Sequence, residues 1–136
     1  MNLARDTNEE KWKKIGEKAV QFMARLVEFS SWNFENKRFL LQAELHYLNG
    51  RYRMAELAYQ ASIVSACEHK FVHEEALAHE LFGIYFVENK RIREGIEHLK
   101  IAYDKYMQWG AYQKTSDVKD FLELVAQVNW VNLKCV

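Results

Sequence analysis

Apolar residues along this chain recur at three- and four-residue spacing, and the two-residue alternation of β-strands is absent, so the pattern predicts helix throughout. Six segments carry it. The first, about 7–30, opens on a Thr7-x-x-Glu10 capping box, carries Trp12, Ile15, Ala19, Phe22, Met23 and Leu26, and ends at Ser30-Ser31. The second runs from about Asn36 to Asn49-Gly50, with Phe39, Leu40, Ala43, His46 and Tyr47 on one face and Gly50 as a left-handed stop. The third, Tyr52 to Glu68, presents Ala55, Leu57, Ala58, Ala61, Ser62 and Ser65. The fourth (Val72 to Glu88) and fifth (Ile92 to Gln108) meet at Asn89-Lys90, and Trp109-Gly110 closes the fifth. A sixth, about Thr115 to Trp130, completes an all-α chain.

Displacing the sequence by 40 residues superposes Asn49-Gly50-Arg51-Tyr52-Arg53 on Asn89-Lys90-Arg91-Ile92-Arg93, Ala43 on Gly83, Ala55 on Gly95, Tyr59 on Leu99 and Ser62 on Ala102. The unit repeated is a helical hairpin, about 34–70 and then 72–110, in which small residues twelve apart let two helices approach closely. Trp12-x-x-Ile15-Gly16 imitates another repeat start, but Glu28 stands where the next small residue belongs, so the first helix is read as flanking and the last, about 112–131, as capping. These spacings resemble the tetratricopeptide pattern, although the period is longer than that family's and the usual Pro is missing. The resemblance implies a single domain of stacked antiparallel hairpins, a right-handed α-solenoid of about six helices, with the first helix of each repeat lining a groove.

A second resemblance spans Trp12 to Leu124 and rests on Asn33-Phe34, Ala43-Glu44, Gly50-Arg51, Glu75-Ala76-Leu77-Ala78-x-Glu80 and Tyr106-x-x-Trp109-Gly110-Ala111 followed by Lys114. Together these are similar to the helical repeat segment of large multidomain sensor kinases of the histidine/serine-threonine type, which also carry a regulatory ATPase module and a GAF domain. Ser31-Trp32 replaces a Pro-containing turn and Lys90 replaces Gly. The 136 residues contain no ATPase, GAF or kinase domain, so the resemblance implies only an interaction-bearing segment of a signalling protein.

Composition narrows the functional classes. Nineteen Lys+Arg balance nineteen Asp+Glu, removing the electrostatic reason to expect nucleic acid or an anionic membrane as partner. Every apolar run is broken by charge well before the ~18 residues of a membrane span, and the N-terminus lacks a secretory apolar core. Cys67 and Cys135 do not make a disulfide framework, so the expected compartment is the cytoplasm.

Chemistry offers little. Cys67-x-His69-x3-His73, with His79 further on, has incomplete zinc spacing, and an inter-helix turn with incidental histidines is favoured; no metal and no cofactor are expected. No orienting third group or Gly-rich oxyanion turn accompanies these residues, so a Cys/His enzyme is the weakest reading. Tyr47, Tyr52, Tyr59, Tyr85, Phe86, Tyr103 and Tyr106 fall at helical spacing and are assigned to the core, with Trp109 a lid at the end of the fifth helix. Glu74 and Glu75 suit a helix N-terminus.

Glu44 and Glu80 lie among apolar positions on the first helices of their repeats, where structural pairing is favoured over ligand contact. If a groove is used, its polar members are Glu44, His46, His79 and Glu80. The expected function is non-catalytic: binding of a protein or peptide partner, or of neighbouring domains of a longer chain. A structural or homo-oligomerising spacer is the alternative.

Overall fold

A computed structural model describes residues 10–29 and 31–134, all of them in helices or the short turns between them. The helices are α1 (Glu10–Phe29), α2 (Ser31–Leu48), α3 (Tyr52–Glu68), α4 (Val72–Glu88), α5 (Ile92–Trp109) and α6 (Tyr112–Lys134). Thr7 of the expected capping box, Ser30 and Cys135 lie outside the described residues. Helices packed together are sequence neighbours, α1 on α2, α2 on α3, α4 on α5 and α5 on α6, and the fold is all-α. The chain divides into two compact units, Met1–Lys70 and Phe71–Val136, at the seam between the two repeats.

Four turns share one geometry. Gly50 (φ 75°), Lys70 (φ 60°), Lys90 (φ 64°) and Gly110 (φ 86°) all take the left-handed conformation, each 20 residues after the last. At three of them the chain closes with a bond spanning five residues: Arg51 N–H to the His46 carbonyl (2.9 Å), Arg91 N–H to Phe86 (2.8 Å) and Ala111 N–H to Tyr106 (3.0 Å). That is the Schellman closure, which satisfies carbonyls left over at a helix C-terminus. The next helix then begins at once, through Ala55 N–H to Arg51, Glu75 to Phe71, Gly95 to Arg91 and Thr115 to Ala111. The 40-residue repeat is thus two copies of a 20-residue helix-and-turn module.

This register corrects two boundaries. α6 starts at Tyr112, where the capping segment of about 112–131 begins, and not at Thr115, where the apolar spacing puts it, because Ala111 is the cap and Thr115 already makes a helical bond. α2 starts at Ser31 rather than near Asn36, since 31–36 holds no Gly or Pro to stop it. Asn36 sits inside that helix, buried, and its carbonyl accepts a 2.8 Å bond from Ser62 Oγ on α3.

In the first unit, Ala43, Ala55, Tyr59 and Ala66 are fully buried. The second unit buries Ala76, Leu99, Ala102, Tyr106 and Val118, with Phe121 and Leu122 of α6 packed against them. Its tightest point is the crossing of Gly83 on α4 with Gly95 on α5. A Cβ on Gly83 would lie 2.8 Å from Leu99 Cγ and 3.1 Å from the Gly95 carbonyl oxygen; one on Gly95 would meet Val87 Cγ2 at 2.6 Å. Ala43 and Ala55 occupy the matching positions of the first hairpin.

Several apolar residues expected inside are exposed instead: Ile15 and Phe22 on α1, Leu57 on α3, Tyr52 and Trp109. Leu57 shows why. It follows buried Ala55 by two positions, a rotation of about 200° around a helix, which turns it away from the core.

Candidate functional site

The polar residues singled out in the sequence are built into hairpins rather than arrayed on an open face. Glu44 is 4% exposed, and its Oε1 accepts a 2.5 Å hydrogen bond from Tyr59 Oη across α2 and α3. Glu44 stands on α2 before the Gly50 turn and Tyr59 on α3 after it, and the antiparallel hairpin brings them together. Tyr59 is wholly buried, so its hydroxyl needs an acceptor, and a carboxylate makes a strong one. In the second hairpin the matching positions are Ile84 and Leu99, where neither side chain has a polar atom to satisfy.

His46 lies at the end of α2, where its Nδ1 accepts a 2.9 Å bond from Arg51 Nε. Burial and the Arg51 charge both lower its pKa, matching a neutral ring with a lone pair at Nδ1.

Glu80 joins three helices of the second unit. Oε1 accepts from Tyr106 Oη at 2.7 Å, and Oε2 accepts from Lys114 Nζ at 2.9 Å. Structural pairing with a base is what the sequence favoured, although the base comes from α6. Burial, followed by the bond to Glu80 and its negative charge, pushes the Tyr106 phenol well above its ordinary pKa.

His79 is 6% exposed and faces α5. Its Nδ1 lies 2.9 Å from Nδ1 of His98, and the two rings stack with centroids 5.2 Å apart. His79 Nε2 stands 3.8 Å from the Glu75 carboxylate, which is also 3.5 Å from Lys105 Nζ. Phe82 and Phe86 pack against His98 with centroids at 4.6 and 5.5 Å, and Arg91 lies over Phe86. Burial, then the neighbouring His98 and Lys105 charges, lower the His79 pKa to about 4; burial also lowers that of His98, against a raising effect of Glu97. Both rings are therefore neutral near pH 7.

The expectation that all four chosen residues lie on an exposed side of the first helices is corrected for Glu44 and His79. Each is turned into its hairpin, because its partner (Tyr59 or His98) stands on the second helix. Sequence reasoning missed Tyr59, His98, Lys105, Tyr106 and Lys114 as polar partners. Antiparallel pairing within a hairpin limits the partners of Glu44 and His79 to the facing turns of α3 and α5, but says nothing of Lys114, which arrives from a third helix.

The cysteine and histidine cluster is dispersed in its contacts. Cys67 is an exposed free thiol, His69 Nδ1 lies 2.9 Å from the Ser65 carbonyl, and the His73 ring packs near Tyr106 and Trp109. Trp109 is not a lid: it is 60% exposed, with its ring centroid 5.6 Å from that of His73. Among the described residues, no group of three or more His, Cys, Asp or Glu is arranged to hold a metal ion, and no helix is long and apolar enough to cross a membrane.

Exposed apolar side chains concentrate elsewhere. Met54, Leu57 and Val64 of α3 are 50–53% exposed, and with Ala61 they follow a three-four-three spacing along one stripe. The buried face of α3, Ala55, Tyr59, Ser62 and Ala66, lies on the other side. No family model, curated protein or solved structure matches this chain.

Proposed function

We propose that this chain is a non-catalytic protein–protein or interdomain interaction module, and that the apolar stripe of α3 is the surface it uses. The single observation that supports the reading is the spacing of Met54, Leu57, Ala61 and Val64, whose larger members stand exposed opposite the core. A three-four-three apolar stripe is the pattern by which one helix accepts another in a two-helix seam, so the partner expected is an amphipathic helix of another protein or of a neighbouring domain. The polar residues support the same reading from the other direction: Glu44, Glu75, His79 and Glu80 are engaged within their own units. The likeness to the repeat segment of sensor kinases agrees with a connecting role in an intracellular signalling protein.

The proposal moves the contact from the first helices of the repeats to the second helix of the first hairpin. It is tested with a Met54→Glu/Leu57→Glu double variant beside His46→Ala, both checked for native circular dichroism. A partner captured by cross-linking, identified and purified, should bind wild type and His46→Ala alike and lose at least tenfold in affinity for the α3 variant, about what losing one exposed apolar anchor costs. Equal binding to all three chains removes α3 as the interface. Concentration-dependent self-association that the α3 variant abolishes puts the homo-oligomeric spacer first.

A further inference from the structure

We propose that the His79–His98 pair makes the α4–α5 hairpin acid-sensitive: the pair joins the two helices while it shares one inter-ring proton, and drives them apart once both imidazoles are charged. The geometry requires this order of events. Both contacting atoms are Nδ1, 2.9 Å apart, so one carries the hydrogen and the other presents its lone pair. In the neutral pair the accepting ring carries its one hydrogen on Nε2, and the donating ring, whose only hydrogen is on Nδ1, has a bare Nε2. A first added proton is accommodated: a charged His98 donates from Nδ1 to a neutral His79, which stays an acceptor. A second has nowhere to go but the His79 lone pair that accepts this bond. Two N–H groups then face each other, and two like charges occupy rings whose centroids are 5.2 Å apart.

The surroundings do not cancel this. On α4, Glu75 is the carboxylate nearest His79, at 3.8 Å from Nε2, but it is shared with Lys105 of α5. Glu80, next in sequence, is held by Lys114 of α6 and Tyr106. On α5, Glu97 favours charge on His98 and therefore the first proton, while Arg91 sits 4.5 Å from the Phe86 ring that stacks on His98. The remaining histidine of this unit, His73, packs against Tyr106 and Trp109.

Nor can the hairpin absorb the repulsion by repacking. One turn from the pair in one direction is the Gly83–Gly95 crossing, where backbone already meets backbone; in the other stand Ala76 and Ala102, both fully buried. The helices are already in close contact at both turns, so relief comes from separating them.

The experiment is amide hydrogen exchange on the full chain, corrected for the intrinsic pH dependence of exchange, between about pH 7 and about pH 4.5, beside His98→Phe, which retains an aromatic ring against Phe82 and Phe86 but cannot be charged. In wild type, protection of amides in 76–86 and 95–102 should fall at least tenfold toward the acid end, while His98→Phe, in which only the buried His79 ring is left to protonate, should lose at least threefold less over the same range. Retention of protection by wild type at the acid end overturns the proposal, and so does an equal loss in His98→Phe. Should that variant not fold, the ring resonances of wild-type His79 and His98 decide: coupled titration below the usual histidine range upholds the pair, and independent titration of both near pH 6.5 overturns it.

Discussion

At the scale of single residues, the structure separates positions where side-chain size is forbidden from positions where backbone conformation is strained. Gly83 is of the first kind. Gly83→Leu must displace Leu99 and the Gly95 carbonyl, and overpacking of this sort costs about 1–3 kcal/mol, so its thermal midpoint should fall clearly below that of wild type. Lys90 is of the second kind. It holds φ at 64° with a Cβ present, where the matching residue Gly50 carries none. Lys90→Gly removes that penalty and should raise stability by up to ~1 kcal/mol in the same melts. Tyr59→Phe tests a buried bond: it removes the phenol donor from the Glu44 carboxylate inside the hairpin and should cost about 1–3 kcal/mol by chemical denaturation.

At the scale of elements, the hairpin of α4 and α5 carries a polar load that the hairpin of α2 and α3 does not share in kind. The His79 pKa of about 4 in the folded chain lies below the ordinary value of 6.5. Between those two values the unfolded chain binds more protons than the folded one, so stability rises with pH; it is complete above about pH 6.5 and is lost as pH falls toward about 4. The loss attributable to this ring is on the order of 2–3 kcal/mol, to be read as the difference in denaturation midpoint between wild type and His79→Phe across that range. Turns behave differently from helices. Asn49, Gly50 and Arg51 are exposed, so a short Gly-Ser insertion there should be tolerated, whereas the same insertion after Tyr59 shifts every later residue of α3 around the helix and should unfold the first unit. Protease resistance of the two insertion variants distinguishes these outcomes.

At the scale of the whole molecule, the chain divides into two compact units, the described residues form six helices, and each unit possesses its own buried residues. Residues 71–136 made alone should therefore retain a helical circular dichroism spectrum and a cooperative melt, because Leu99, Ala102, Tyr106 and Val118 form a core within that segment. The 20-residue spacing of left-handed turns explains why a 40-residue repeat was legible although few identities support it: the turn has to recur, while its residue can be Gly or Lys.

Helical class, the four central helix ends and the small residues at the hairpin crossings could all be read from one dimension, because each depends on local backbone chemistry or on side-chain size at a fixed interval. The ends of α2 and α6 were less legible, since 31–36 and 112–115 contain no residue that forbids helix and only the turn geometry places the start. Glu44 and Glu80 could be recognised as charged residues among apolar ones, and pairing inferred, but the identity of the partner depended on a register and, for Lys114, on a third helix. Exposure of Met54, Leu57 and Val64 was likewise decided in three dimensions. An apolar side chain carries no mark of which way it points. α3 is apolar on more than one side, and only the packing of Ala55, Tyr59, Ser62 and Ala66 against their neighbours determines which side is left to water.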